Sequence, residues 1–285
     1  MNLSFVIGTI INGIELGLIY ALIAIGFSLI YGTAKIVFAA HGEIYMIGAM
    51  LTYYLFAVKG IPYFVSLIIV IISMGIFGLI ADRLLFRRLH GKDLEMFMVS
   101  LGLVMIMSSV FLLIFGGAPK GVRTPFPGTM NLMGMSLAID KLIVALISIT
   151  IIVGLHFFFH KVKSGQGIRA YAQNPEAAAL QGISMDRTVP LTFFVSLALA
   201  GAAGGLVAPL YFAQVFMGTS ALTNTFMVVI LGGIGSFPGA IVGGLFLGLL
   251  HSLGRIVMGE FSFLLSFIVI IIFLVVKPTG FFGHE

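Results

Sequence analysis

Asn174, Pro175 and Glu176 are followed by three alanines, by Leu180 and, two residues later, by Gly182. That spacing builds a compact helix with marked ends. An asparagine side chain can accept the hydrogen bond of an orphan N–H at the N-cap, and a proline at the first helical position lacks only a donor that would go unused. A carboxylate in the first turn suits the helix dipole. The alanines and leucine are strong helix formers, and glycine ends a helix readily in the left-handed conformation. The chemistry on offer is recognition: a short helix displayed to a soluble partner or, alternatively, a connector between two larger elements.

A second group of residues is conspicuous for its surroundings. Glu15, His41 and Glu43 lie in or at the edge of long apolar stretches, where ionisable groups are costly and face a protein interior or a water-filled path. His41-Gly42-Glu43 reads as a break in a helix beside a transport route, or as a carboxylate paired with Lys35 at a membrane edge. For Glu15 a structural hydrogen bond is the expected role. The run Gly232-Gly233-Ile234-Gly235-Ser236-Phe237-Pro238-Gly239 is non-helical by composition. Irregular backbone at membrane depth must be buried in protein or line a cavity, and a plain turn between two helices is the alternative. Glu15, His41, Glu43, Gly232, Gly233, Gly235 and Ser236 are therefore the candidates for lining a translocation pathway.

Other arrangements fall short of a site. His156 and His160 have the i, i+4 spacing of zinc ligands on a helix, but no third ligand is suitably spaced, so no metal is expected. The glycine loop Gly116–Gly121 lacks the G-x-x-x-x-G-K-[ST] signature that cradles ATP phosphates. No Ser/His/Asp or paired-carboxylate set stands out, so no catalytic residue and no cofactor are expected. Cysteine is absent, which removes disulfides and thiolate ligands.

These residues are embedded in a chain of 285 residues that is 60% hydrophobic and only 9% charged, against about 25% charged in a soluble domain. Apolar stretches near 20 residues recur from end to end, which implies an all-α, polytopic transmembrane helical bundle spanning residues 1–285 as one domain. MNLSFVIGTI has no basic region ahead of an apolar run, so no removable signal peptide is read. Spans are expected at Phe5–Tyr31, Ile36–Val58, Pro62–Leu85, Met96–Phe115, Lys141–Phe159, Thr188–Phe212, Gly239–Leu253 and Phe261–Val276. Thr223–Ile234 is too short to cross about 30 Å of hydrocarbon. The count is eight full spans and one short broken helix.

Alternating spans put Lys35, Arg83, Arg87, Arg88, Lys92, Lys161, Lys163, Arg169, Arg187 and Lys277 on one side, ten of the fifteen lysines and arginines. That side is expected to be cytoplasmic, together with the 165–190 loop and the C-terminus; the N-terminus and the Gly116–Asp140 loop face out. Gly13/Gly17, Gly201/Gly205, Gly239/Gly243 and Gly244/Gly248 are small-xxx-small pairs, suited to close packing within the subunit or between two subunits. Ala39–Gly48 and Leu231–Gly244 correspond weakly as two glycine-interrupted segments, one in each half, a pattern that points to a substrate pathway.

Glu176-Ala177-Ala178-x-x-x-Gly182 resembles the EAA motif of ABC-importer permeases. Its flanks extend the resemblance: Arg169-Ala170-x-Ala172-Gln173-Asn174-Pro175, Ser196 to Gly205, Ile230-Leu231-Gly232-Gly233-x-Gly235-Ser236 with Gly239-Ala240, Tyr20 to Gly26, and Ala40-His41-Gly42-Glu43 with Gly48-Ala49. From about residue 8 to residue 280 the chain is similar to branched-chain amino-acid ABC-transporter permeases of the LivH type. One departure is the I-x-L-P ending of other EAA loops, represented here only by Val189-Pro190 at a shorter distance. The resemblance implies a bacterial inner-membrane permease without enzymatic activity. It would assemble with a second homologous permease or with itself, two ATP-binding cassette subunits below and a periplasmic binding protein above, and would carry leucine, isoleucine and valine. It implies that Asn174, Pro175, Glu176, Ala177, Ala178 and Gly182 form the helix that couples ATP hydrolysis to the spans. A sister branch with similar motifs carries urea and short amides. A secondary transporter is the rival outside the family, against which stands the scarcity of buried ionisable residues to bind coupling ions. Lipid is the only other partner expected, and nucleic acid is not.

Overall fold

A computed structural model describes residues 3–132 and 135–282. Eleven α-helices account for most of it. α1 (Leu3–Ala34) leads into a non-helical segment, and α2 (His41–Thr52) continues through wider π turns to Val58. α3 (Tyr63–Ala81) is prolonged by irregular turns to Leu89, and α4 spans Asp93–Phe115. α5 (Ile139–Lys161), α6 (Lys163–Gln173), α7 (Pro175–Leu180) and α8 (Met185–Val207) follow. α9 (Met217–Gly232), α10 (Phe237–Met258) and α11 (Ser262–Val276) complete the chain. Two small antiparallel ribbons lie in the long connections. β1 (Lys120–Gly121) pairs with β4 (Phe212–Ala213), and β2 (Thr129–Leu132) with β3 (Met135–Ala138).

The expected eight full spans become six among the described residues: α1, α3 with its extension, α4, α5, α8 and α10 are long and apolar enough to cross a membrane. The second stretch falls short because its first residues are not helical. Lys35 adopts φ +57, and the chain from there to Ala40 runs back into the bundle, with Ile36, Phe38, Ala39 and Ala40 buried. The Ala39 N–H finds the Ser100 hydroxyl of α4 at 3.2 Å, a side-chain substitute for the ladder that the segment lacks. α11, with 15 residues, is short in the same sense. α9 begins at Met217, earlier than the expected Thr223, and still reaches only 16 residues.

α1, α2 and α8 form the buried centre; α4, α5 and α11 ring it with apolar faces such as Met105, Leu113, Leu146 and Val275 left exposed. Such a periphery suits lipid. The glycine pairs act within the chain. A Cβ on Gly17 would meet the Gly244 carbonyl oxygen at 2.9 Å and Leu245 Cα at 2.8 Å, while Gly248 lies directly against the Gly13 oxygen and the Gly17 nitrogen. α1 and α10 thus touch backbone to backbone, which only glycine permits. Gly48 meets Gly201, and Gly204 meets the Tyr45 carbonyl, to seat α2 on α8 in the same way.

Candidate functional site

The region from Gly165 to Pro190 is more ordered than a loop with one helix. α6 is amphipathic, with Gly165, Ile168 and Tyr171 turned inward, and Gly165 packs on the Phe158 carbonyl. Burial pushes the Tyr171 phenol up from its ordinary pKa. His160 ties α5 to α6. Its Nδ1–H donates to the His156 carbonyl oxygen at 2.8 Å, and its Nε2 accepts from Arg169 at 3.1 Å. Both ring nitrogens are therefore engaged, so the i, i+4 histidine pair acts as a joint between helices, its rings stacked 4.1 Å apart.

α7 follows without a linker. Asn174 ends α6 and caps α7, its Oδ1 accepting from the Ala177 N–H at 3.0 Å, with Pro175 at the first position and Glu176 in the first turn. At the other end the Gly182 N–H donates to the Ala179 oxygen and the Ile183 N–H to the Ala178 oxygen, both at 3.0 Å. This pair of bonds closes the helix around a left-handed residue, and Gly182 has φ +79. Only Ala178 of the six helical residues is buried; Glu176 is exposed and Leu180 is 91% exposed. Met185 then opens α8, placing Pro190 inside the first turns of that helix.

His41 and Glu43 open α2 and do not interrupt a helix. The His41 Nε2–H donates to the Ile23 carbonyl oxygen at 3.0 Å, and the ring packs edge-on against Phe27 and Phe38. Ile23 lies about 16 Å along α1 from that helix's C-terminal end at 1.5 Å per residue, so α2 starts deep in the bundle. Glu43 is buried against Gly218 at the start of α9 and is hydrogen-bonded to Ser108 of α4, while its Oε2 has no hydrogen-bond partner among the described residues. Lys35 is not its partner. Glu15 is held by α5: Lys141 Nζ lies 3.9 Å from its Oε2 and donates to Asn12 Oδ1 at 2.7 Å.

Gly232–Ser236 lie at the far end of α9 from Gly218. They form a tight helix–turn–helix, with Gly233 at φ +96 and Gly235 at φ +81, and Ser236 caps α10 by accepting the Gly239 N–H at 3.1 Å. The chain beyond α11 closes over this turn. The Phe281 N–H donates to the Leu231 oxygen at 2.7 Å and the Phe282 N–H to the Gly232 oxygen at 3.0 Å. The pathway candidates therefore fall into separate groups: Glu15 on the outer part of α1, His41 and Glu43 at the head of α2, and Gly232–Ser236 at the α9–α10 turn.

Sequence reasoning passed over a fourth group. Tyr20, Ser220, Asn224, His251, Arg255, Gly259, Ser262 and Phe263 line a cavity of about 660 Å³ between α1, α9, α10 and α11. The Asn224 amide donates to the Tyr20 oxygen at 3.2 Å, and the Tyr20 hydroxyl in turn sits 3.0 Å from His251 Nδ1. The signal was available in the spacing, since Ser220/Asn224 and His251/Arg255 are i, i+4 polar pairs on otherwise apolar helices.

The comparisons agree with this architecture. Residues 9–275 match the family described as the permease component of branched-chain amino acid transport systems. The high-affinity branched-chain amino acid transport system permease protein LivH of Escherichia coli K12 is 30% identical, with 96% of this chain and 94% of that protein covered. LivH of Salmonella typhimurium is also 30% identical at the same coverage. BraD of Pseudomonas aeruginosa, of the same description, is 29% identical over 96% of this chain and 95% of its own. No solved structure matches the chain. With a family model that covers nearly its whole length, the chain is a multi-pass membrane protein and belongs to the branched-chain amino acid transport system permease family.

Proposed function

We propose that the chain is a permease subunit of an ATP-driven importer and carries leucine, isoleucine and valine across a bacterial inner membrane. The observation that carries this reading is α7: a six-residue helix, capped at both ends, that buries one alanine and displays the rest. A helix so short is not stable on its own, so its caps and its seat on α6 serve to hold it out rigidly. Glu176 and Leu180 would dock in a cleft of an ATP-binding cassette subunit, and α6, joined to α5 through His160, would carry the resulting motion to the spans. Two such ATPases and a second homologous permease, or a second copy of this chain, complete the importer. The chain itself catalyses no reaction.

The excess of basic residues around α6–α7 and the ends of α3 and α11 supports a cytoplasmic position for that end of the bundle. The β1–β4 and β2–β3 ribbons would then face outward and receive a periplasmic binding protein, with the N-terminus outside. The names of the relatives favour branched-chain amino acids over urea or amides as cargo. The test is reconstitution in proteoliposomes. Leucine uptake should require ATP, the ATPases and the binding protein together. Uptake by this chain alone, driven by an ion gradient, would overturn the proposal.

A further inference from the structure

The cavity beside Tyr20 is not explained by packing. His251 and Asn224 are 7% and 8% exposed, yet His251 Nε2 and Asn224 Oδ1 have no hydrogen-bond partner among the described residues. Buried polar atoms left in this way cost about 1–3 kcal/mol each unless something else satisfies them. Their protonation follows from the chain of bonds. The Asn224 amide donates to the Tyr20 oxygen, so the Tyr20 proton goes to His251 Nδ1, and the imidazole carries its own proton on Nε2. Arg255 stands exposed on the cavity as a cation, while the His251 Nε2–H donor and the Asn224 Oδ1 acceptor belong to lining residues but are closed off from solvent, so a ligand meets them only when those side chains turn toward the cavity. Arg255 is further oriented by a hydrogen bond to Tyr211. Phe263 adds an apolar wall.

A donor and a cation on α10, an acceptor on α9 and an aromatic ring on α11 complement the head group of an α-amino acid. We infer that this cavity is a binding site for a zwitterionic amino acid, with its carboxylate at Arg255 and His251 Nε2–H and its ammonium at Asn224 Oδ1. The volume lies within the roughly 300–1,000 Å³ of small-molecule sites. A simple anion would leave Asn224 Oδ1 unmet, and a simple cation would face Arg255. The position, in the half of the bundle that carries the ribbons, suits a receiving site for cargo released by the binding protein. The inference rests on the importer reading for the identity of that cargo.

The absence of cysteine makes the test direct. Ser220→Cys puts a thiol in the wall of the cavity, and a thiosulfonate reagent then labels only that position of the chain. Labelling is followed on this chain within the permease–ATPase complex in nanodiscs. Leucine at about ten times its Kd should slow labelling about tenfold, as the free fraction falls by 1 + [L]/Kd. Leucinol, which lacks the carboxylate, and 4-methylpentanoate, which lacks the ammonium, should not protect at the same concentration. Arg255→Gln added to Ser220→Cys should abolish protection by leucine. If that variant is poorly produced, the analogue series decides alone. ATP-driven leucine uptake by the unmodified complex with its binding protein reads the importer proposal separately. Uptake without protection overturns the site and leaves the importer; protection without uptake does the reverse. Equal protection by 4-methylpentanoate, or protection by acetamide or urea alone, also overturns the zwitterion site.

Discussion

Gly17 on α1 and Gly248 on α10 lie nitrogen against Cβ position, with no room for a side chain on Gly248. The contact is the closest approach of two helices whose apolar surfaces gain little from leaving lipid, so their affinity depends on packing distance. A Gly248→Ile substitution must push the two backbones apart. It should cost about 3 kcal/mol or more, beyond the usual overpacking range because backbone and not a flexible side chain must yield. Gly154→Ile on α5 is the control, since nothing lies within 4 Å of a Cβ there. Thermal unfolding in detergent should show a large drop for the first variant and little change for the second.

Gly182→Pro should uncouple transport. The ring would impose φ near −65° on a residue that sits at +79 and would remove the N–H that closes α7 on the Ala179 oxygen. Gly182→Ala, which pays only the left-handed strain of about 1–2 kcal/mol, should be milder. Glu176→Lys keeps the fold and reverses the charge on the displayed face. In vesicles both Gly182→Pro and Glu176→Lys should be present at wild-type amounts while leucine uptake falls by about tenfold or more, the effect of losing roughly 1.4 kcal/mol of coupling. Wild-type uptake in either variant would count against the docking role of α7.

Glu15 and Lys141 make a different kind of test. Glu15 is 1% exposed, and Lys141 is the only cation within 4.0 Å of it among the described residues. Removing one partner of a fully buried pair costs about 3–5 kcal/mol, and because Lys141 is 31% exposed its loss should cost less than that, whereas removing both is cheaper still. Lys141→Met should therefore destabilise the protein, and Glu15→Gln should restore much of the loss when added to it. The two single variants and the double variant form a cycle that thermal denaturation in detergent can read. Additive losses would show that Glu15 does not depend on Lys141.

The ends of α7 were legible in the sequence because capping is local: Asn174, Pro175 and Gly182 each act on backbone within four residues. The head of α2 was not. Ile36 to Ala40 is apolar and continuous with the helix that follows, and hydropathy cannot distinguish a helix from a non-helical segment that borrows Ser100 from α4, 61 residues away. α6 was hidden for a related reason. Its two glycines and serine argue against helix, and what overrides them is the fit of Gly165 on the Phe158 carbonyl. The glycine pairs announced close packing but not their partners, because Gly13/Gly17 and Gly244/Gly248 meet over more than two hundred residues of chain. The Tyr20 cavity draws on α1, α9, α10 and α11, and each contributes only one or two polar residues to it. Its i, i+4 pairs were present in the sequence, but nothing local assigns Ser220/Asn224 and His251/Arg255 to the same side of the bundle.

The chain beyond α11 supports the last prediction. Phe281 both donates its N–H to the Leu231 oxygen and packs its ring 4.6 Å from Phe273 and 5.8 Å from Phe246. A helix leaves its last carbonyls without intrahelical partners, and at the end of α9 the tail satisfies two of them. Gly280 passes so close that a Cβ there would meet the Gly233 nitrogen at 2.7 Å. Ending the chain after Thr279 should remove the main-chain bonds and the aromatic contacts together. Phe281→Ala should remove only the contacts, at less than the roughly 3–5 kcal/mol of a core phenylalanine because Phe281 is half-buried. Amide exchange separates the two effects. In the truncated chain the last turn of α9 and Gly233–Ser236 should lose protection, whereas in Phe281→Ala they should keep most of it and the protein should simply unfold at lower temperature. If the truncated chain retains full protection at that turn, the tail is not what closes α9.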